Sequence, residues 1–332
     1  IKMNIPLSLP KIDSQKNMVI DVTYVCNYSC NYCRWGSSDT PGRFHQKLEE
    51  ILVNRKEIES IGVERIVLSG GEPLLHPNIN EIVHHFSNLV EDVILITNGW
   101  LADLSKIQIL IDNGLTGVAF SIDSVESSIL QASRDMTAKQ IERSLKNFKN
   151  ISDARNRKEI GVELGINCVV SSANCSIKSI SNLLEWSVSH NLDYVNFNMI
   201  FDDGYSGKNA PKLLLTKAHT NEILNIANFL HSQPPNIHTN SYKFWLTIAA
   251  MLNGSKLDGA SCGLRDRQTL LYRGKYHFCA WLENPTLGEV GATNLDTVTK
   301  ARANFQKASR ECFTGPHCHC LQSTNHEWEL IH

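Results

Sequence analysis

The sequence predicts an α/β fold in which six parallel strands, each followed by a helix, form an open, partial (β/α)6 TIM-like barrel. Short apolar runs alternate with amphipathic stretches over the first 200 residues. This alternation is typical of parallel strands joined by right-handed crossovers. Six such units fall short of the eight that close a barrel. The alternation stops after Ile200, so a small C-terminal α+β module is expected there.

The barrel strands are predicted where four to eight mostly apolar residues stand between polar or glycine-containing segments. In chain order they are Met18–Tyr24, Arg65–Ser69, Val93–Thr97, Gly117–Ile122, Glu163–Val170 and Tyr194–Met199. Amphipathic segments between and after these strands predict helices. These helices are Gln46–Ile61, Ile79–Leu89, Leu101–Asn113, Ala138–Phe148 and Ile177–His190.

The remainder of the chain is predicted to contain two helices and one hairpin. The helices, separated by Pro234–Pro235, are Thr216–Ser232 and Ser241–Asn253. The hairpin joins Gln268–Tyr272 to Lys275–Ala280 through Arg273–Gly274. We therefore expect three units: the barrel at 1–200, a helical connector on the substrate side at 201–260, and the small module at 261–332.

Composition limits the compartment and the partners. The chain has 332 residues, of which 42% are hydrophobic and 20% charged, and its net charge is −2. This balance gives no basic surface for nucleic acid. The N-terminal segment lacks a signal-peptide core, and no apolar run reaches the length that spans a bilayer. We expect a cytoplasmic protein with no nucleic-acid or membrane partner.

Three of the ten cysteines stand together directly after the first predicted strand. The segment VTYVCNYSCNYC places Cys26, Cys30 and Cys33 in a C-x3-C-x2-C spacing. Thiolates are the usual ligands of iron–sulfur clusters. Three of them leave one iron of a [4Fe–4S] cluster open, as a catalytic metal centre requires. A zinc site, which needs a fourth nearby ligand, and three unrelated structural cysteines are the alternatives.

The cysteine spacing, with the aromatic Tyr32 before Cys33, resembles the signature of radical S-adenosylmethionine (radical SAM) enzymes, over roughly residues 18–200. The GGEP segment after the second strand resembles the family's motif for the methionyl amino group; its residues are Gly70, Gly71, Glu72 and Pro73. The resemblance implies that a reduced cluster cleaves S-adenosylmethionine to a 5′-deoxyadenosyl radical, which abstracts hydrogen from the substrate. It also implies a flavodoxin- or ferredoxin-type electron donor.

Other residues resemble family positions that contact the cofactor at the carboxyl ends of the strands. They are Asn98, Ser121, Asp123, Arg134 and Asn167. Ser121 and Asp123 share parity, so both are expected to face inward. Arg134 lies where relatives bind the methionyl carboxylate through a charge-assisted bond. A strand-end cap for Asp123 and a solvated surface position for Arg134 are the alternatives.

A second group of cysteines surrounds and follows the predicted hairpin. Its members are Cys262, Cys279, Cys312, Cys318 and Cys320. The pattern resembles the SPASM and twitch C-terminal extensions of radical SAM enzymes, which bind auxiliary [4Fe–4S] clusters. Five cysteines instead of the seven of a full SPASM pattern imply one auxiliary cluster and a twitch-like module. Cys262 and Cys279 are the first ligands expected, with two of the other three.

The C-terminal cysteines have two further interpretations. A fifth cysteine left outside the cluster would be a free thiol that donates a hydrogen atom. A zinc site built from Cys312, His317, Cys318 and Cys320 is the structural alternative, because these are also zinc-ligand types.

The first functional hypothesis is dehydrogenation or epimerisation of a small molecule, a sugar, aminocyclitol or nucleoside, in natural-product biosynthesis. It rests on the single expected auxiliary cluster and on the roughly two dozen residues before Cys26, too few for a peptide-recognition domain. The alternative is cross-linking or epimerisation of a ribosomally made peptide. A non-catalytic iron–sulfur or zinc protein is the third hypothesis, and the GGEP segment argues against it.

Overall fold

The computed structural model describes residues 17–33, 35, 43–200, 210–254, 268–277 and 286–301. The strands of these residues form one open sheet. In chain order they are β1 Asn17–Thr23, β2 Arg65–Gly70, β3 Asp92–Thr97, β4 Gly117–Ser121, β5 Glu163–Val170, β6 Tyr194–Met199, β7 His238–Thr239, β8 Gln268–Tyr272, β9 Lys275–His277 and β10 Thr286–Glu289. Their spatial order is β10-β9-β8-β1-β2-β3-β4-β5-β6-β7.

Strands β1 to β6 are parallel neighbours, which confirms the predicted partial barrel. In β5, Ile166 and Cys168 are buried in the core that the helices cover, while Asn167 between them is half-buried and points to the opposite face of the sheet. The carboxyl ends of all six strands therefore lie at one edge, where parallel α/β proteins place their ligand sites.

Helices pack against one face of the sheet. The α-helices of the described residues are α1 Leu48–Ile51, α2 Arg55–Ile61, α3 Ile79–Ser87, α4 Leu104–Asp112, α5 Ser127–Arg134, α6 Ala138–Asn156, α7 Ile177–Ser189, α8 Thr220–Ser232 and α9 Tyr242–Leu252. None of the helices in these residues is long and apolar enough to cross a membrane.

The helices of the structure differ most from the prediction in three places. The helix predicted at Gln46–Ile61 is broken, because Asn54 caps α2: its Oδ1 accepts from the backbone N–H of Glu57 at 3.1 Å. Helix α6 continues past Phe148, since Ile151 and Ala154 extend its buried face. Helix α5 was not predicted, because its mostly polar sequence gives a weak apolar pattern.

The predicted hairpin is confirmed as β8 and β9. Its turn residues Arg273 and Gly274 both have positive φ, 50° and 68°, as a two-residue primed turn requires. Strand β8 pairs in parallel with β1, so the hairpin extends the barrel sheet instead of forming a separate one. Strands β7 and β10 were not predicted, because two and four residues are too few to display periodicity.

Candidate active site

The segment 24–33 leaves the carboxyl end of β1 and carries the first three cysteines; it is called the cluster loop below. Cys26, Cys30 and Cys33 are half-buried free thiols. The loop is anchored by Tyr28, which packs in a small apolar cluster with Leu130, Met136 and Ile141. The Tyr28 hydroxyl is also hydrogen-bonded to Ser144 Oγ at 2.7 Å. Helices α5 and α6 thus hold the loop in place.

The surroundings of the thiols suit an iron–sulfur cluster. Burial raises the pKa of the Cys26 thiol to about 12 and also raises that of Cys30, so cluster binding must displace protons. Three N–H donors point at the sulfurs: Tyr28 N at 3.4 Å and Asn98 Nδ2 at 3.9 Å from Cys26 Sγ, and Arg134 Nη1 at 4.0 Å from Cys30 Sγ. Such donors stabilise an anionic cluster.

No three His, Cys, Asp or Glu side chains in the described residues converge on a point that would hold a single metal ion. Thiolates that each bind a different iron of a [4Fe–4S] cluster do not need to converge in that way. The three thiols, with donors on two of them, therefore fit a cluster that keeps one iron open.

The two glycines of the GGEP segment lie against the cluster loop. The N–H of Gly71 donates to Thr23 O at 2.7 Å. A Cβ on Gly70 would lie 2.2 Å from Thr23 O, and one on Gly71 would lie 2.2 Å from Val25 O. The absence of a Cβ at both glycines therefore lets the end of β2 approach the start of the cluster loop.

Glu72 is fully buried and joins the ends of β2 and β3. Its carboxylate accepts from Leu74 N at 3.1 Å, Thr97 Oγ1 at 2.8 Å and Asn98 N at 2.8 Å. Burial raises its pKa to about 7, against the opposing effect of these donors. The next residue, Pro73, begins a short 3-10 turn. Oε2 takes only one of the donors and so keeps acceptor capacity for an ammonium group.

Asn98 connects the end of β3 to the cluster loop. Its Nδ2 donates to Asn27 Oδ1 at 2.8 Å, and its Oδ1 accepts from Trp100 N at 3.0 Å. The residue was predicted as a cofactor contact, and it lies beside Cys26. Its partner Asn27 was not singled out from the sequence, because a polar residue between loop cysteines carries no pattern of its own.

Asp123 and Arg134 form a buried ion pair behind the cluster loop. Arg134 Nη2 donates to Asp123 Oδ1 at 2.7 Å, and the side chains are 6% and 0% exposed. Tyr32 Oη donates to Asp123 Oδ2 at 2.8 Å. The alternative of a solvated surface arginine is therefore wrong. Asp123 lies two residues past the end of β4, where these two donors hold its carboxylate.

Polar side chains lie on the face of the sheet opposite the helices, near the ends of β4, β5 and β6. Ser121 is paired with Asn167, and Asn167 with Asn196 on β6; Asn198 follows two residues later. All four are half-buried and make no side-chain hydrogen bond within the described part of the chain. Asn196 and Asn198 were missed, although asparagine inside a strand is disfavoured and is itself a signal.

The other predicted residues divide into two groups. Cys168 is buried in the core, and Trp35 packs 4.5 Å from Tyr24 between ring centroids. The predicted auxiliary ligands lie outside the described residues: Cys262, Cys279, Cys312, Cys318 and Cys320.

Comparison with known sequences finds a family match that includes the cluster loop. The sequence pattern of the Radical SAM superfamily matches residues 20–157. The chain is 32% identical over 115 residues to a probable GTP 3′,8-cyclase of Methanocaldococcus jannaschii, covering 34% of this chain and 38% of that protein. It is 34% identical over 113 residues to the GTP 3′,8-cyclase of Clostridium perfringens, covering 32% and 34%. The chain thus spans about a third of the length of these curated relatives.

Solved structures resemble the chain over more of its length. Streptococcus suis SuiB bound to S-adenosylmethionine has a TM-score of 0.65 at 13% identity and covers 89% of this chain and 68% of its own. The protein anSMEcpe with bound AdoMet has a TM-score of 0.61 at 20% identity and covers 90% and 86%. At these identities the likeness establishes a shared fold.

Proposed function

Because residues 20–157 form a radical SAM domain, we propose that the chain uses S-adenosylmethionine to abstract a hydrogen atom from a substrate bound at the carboxyl edge of its sheet. The observation that carries this proposal is the set of three free thiols in one loop, with N–H donors at two of the sulfurs. When bound, a [4Fe–4S] cluster and S-adenosylmethionine supply the 5′-deoxyadenosyl radical.

The chain's own residues bind and orient these groups. Cys26, Cys30 and Cys33 hold the cluster. The GGEP segment and Asn98 fix the loop from the side of β2 and β3, and Oε2 of Glu72 accepts from the methionyl ammonium. Ser121 and Asn167 offer hydroxyl and carboxamide groups to the cofactor from β4 and β5. Fixed positions of this kind lower the barrier by holding the reacting atoms at contact distance.

We propose a hydrogen-bonding small molecule as the substrate, such as a sugar, aminocyclitol or nucleoside. The carboxamides of Asn196 and Asn198 lie on the face of the sheet opposite the helices, without protein partners in the described residues. Each carboxamide offers both a donor and an acceptor, which suits hydroxyl and amine groups. Dehydrogenation and epimerisation are the reactions proposed, with the chain acting as an oxidoreductase or isomerase.

Maturation of a ribosomally made peptide is the second candidate. Its supporting observation is that two structures of similar fold were solved with peptides, SuiB with its precursor peptide SuiA and anSMEcpe with the Cp18Cys peptide. Carboxamides that have no partner within the described residues also suit peptide amides. Purified sugars, aminocyclitols and nucleosides, tested against peptides for stimulation of deoxyadenosine formation, distinguish the two candidates.

An auxiliary [4Fe–4S] cluster in the segment 261–332 completes the proposal. Its ligands would come from Cys262, Cys279 and two of the three last cysteines. Such a cluster would accept the second electron of a dehydrogenation. A remaining thiol would return a hydrogen atom in an epimerisation.

The test of the site is reductive cleavage of S-adenosylmethionine by Cys30→Ala. We expect the variant to form at least about 100-fold less 5′-deoxyadenosine than the wild type, because two cysteines do not retain a competent cluster. Cys175→Ala is the matched control, since Cys175 is a free, buried thiol outside the cluster loop. Cleavage at the wild-type rate by Cys30→Ala would refute the site assignment.

A further inference from the structure

The buried pair of Asp123 and Arg134 has an orientation fixed by its neighbours. Asp123 Oδ2 accepts from Tyr32 Oη at 2.8 Å and from Ser133 Oγ at 3.3 Å, and Oδ1 accepts from Val169 N at 2.9 Å. With the bond from Arg134, the carboxylate accepts four hydrogen bonds, which fix its orientation. The guanidinium stands between this carboxylate and Cys30.

Two contacts aim the positive end of the pair at the cluster loop. Arg134 Nη1 lies 4.0 Å from Cys30 Sγ, and the guanidinium carbon lies 5.6 Å from the centroid of the Tyr32 ring. Tyr32 thus touches both members of the pair, its hydroxyl on Asp123 and its ring beside Arg134. The result is a dipole whose cationic end faces a cluster ligand.

We propose that Asp123 and Arg134, oriented by Tyr32, set the reduction potential of the cluster bound through Cys30. This inference rests on the proposed function, because it requires a cluster at the three cysteines. Reduction adds one negative charge to the cluster. A guanidinium beside a ligand sulfur stabilises the reduced form, and net charge and hydrogen bonds to sulfur are what set such potentials. The Asp123 carboxylate opposes this effect from a longer distance.

Stability alone does not account for the pair. Buried ion pairs contribute little net stability compared with apolar side chains of similar size, because both charges lose their hydration. Here the cost is larger, since Arg134 Nε is buried and has no hydrogen-bond partner among the residues that the structure describes. A charge that costs stability and lies 4.0 Å from a ligand sulfur is suited to an electrostatic role. Asp123 and Arg134 are positioning residues in this proposal.

The test is a redox titration of the anaerobically reconstituted full chain, followed by electron paramagnetic resonance with low-potential mediators. The relevant cluster is identified by the change of its signal on adding S-adenosylmethionine. We expect Arg134→Gln to shift the potential to more negative values, by about tenfold in the reduction equilibrium, which is about 59 mV for one electron. We expect Asp123→Asn to shift it in the opposite direction.

A matched control separates this effect from the general loss of an ion pair. Arg65 and Asp92 form a pair at 2.8 Å at the amino ends of β2 and β3, the edge of the sheet opposite the cluster loop. Arg65→Gln is expected to leave the potential unchanged. If Arg134→Gln does not fold, the neutral double variant Asp123→Asn/Arg134→Gln takes its place, with a smaller negative shift expected.

The outcomes are separable. Potentials that do not move, or that move in the same direction in Arg134→Gln and Asp123→Asn, overturn the inference while leaving the proposed function intact. Wild-type protein with no signal that responds to S-adenosylmethionine overturns the proposed function and, with it, the inference. Opposite shifts, with Arg65→Gln unchanged, support the inference.

Discussion

Ionisation of Glu72 is coupled to folding, because its carboxyl group is fully buried between the ends of β2 and β3. Desolvation raises its pKa from 4.5 to about 7, although three hydrogen bonds favour the carboxylate. A raised carboxyl pKa means that the folded chain binds the proton more tightly than the unfolded chain. The contribution of protonated Glu72 to the free energy of unfolding is therefore fully present below pH 4.5 and is lost as the pH rises through about 7.

We expect the stability of the wild type relative to Glu72→Gln to fall by about 2 kcal/mol between roughly pH 5.5 and pH 8. The measurement is anaerobic urea unfolding without S-adenosylmethionine. The comparison cancels the pH-dependent contribution of His76 to stability, which both proteins share. Burial lowers the pKa of His76, so its contribution has the opposite sign to that of Glu72. A difference between the two proteins that stays constant across this range would contradict the assignment.

The sequence predicted the residues around the cluster better than it predicted their contacts. Cys26, Cys30 and Cys33 were predicted from their spacing and Glu72 from the resemblance of its GGEP segment, because chain neighbours that serve one ligand leave a local pattern. The pairing of Arg134 with Asp123, and of Asn98 with Asn27, joins residues 11 and 71 positions apart. Such contacts depend on the fold and leave no spacing to detect.

At the scale of elements, the hairpin β8–β9 fastens the edge of the barrel beside the cluster loop. Leu271 is fully buried on β8, and its register partner on β1 is Ile20. At the turn, Arg273 N donates to Gln46 Oε1 at 2.9 Å, and Tyr272 packs 5.6 Å from Tyr24 between ring centroids. Tyr24 lies two residues before Cys26, the first thiol of the cluster loop, so loss of the hairpin is expected to disturb this loop.

We expect Leu271→Ala to lower the free energy of unfolding by about 2–5 kcal/mol, because it leaves a cavity between β8 and the helices. Leu295→Ala makes the same chemical change at a side chain that is 67% exposed, and it is expected to cost less than about 0.5 kcal/mol. Denaturant unfolding of both variants checks the difference. Equal losses would show that β8 does not belong to the cooperative core.

The predictability of elements followed the strength of their patterns. Strands β5 and β6 were predicted with the bounds that the structure has, because their buried faces alternate clearly. The break at Asn54 was missed, since the apolar spacing continues across a cap. The parallel pairing of β8 with β1 was missed as well, because a hairpin sequence specifies its own turn and not the strand that it joins.

For the whole molecule, the described residues are one sheet with one rim, and the thiols of the first cysteine group lie at that rim. The second cysteine group was recognised only by resemblance, and it lies outside the described residues. The chain therefore binds either two iron–sulfur clusters or one, and the two possibilities imply different chemistry. With two clusters, a dehydrogenation has an internal electron acceptor. With one cluster, the C-terminal cysteines are structural or bind zinc.

Iron and sulfide content, measured together with Mössbauer spectra, decides between two clusters and one. We expect anaerobically reconstituted wild type to contain about eight irons, and the triple variant Cys26→Ala, Cys30→Ala, Cys33→Ala to contain about four, because each [4Fe–4S] cluster would be held by its own cysteines. The spectra of the variant should then report the auxiliary cluster alone. About four irons in the wild type and none in the variant would remove the auxiliary cluster from the mechanism, and the second electron would need an external acceptor.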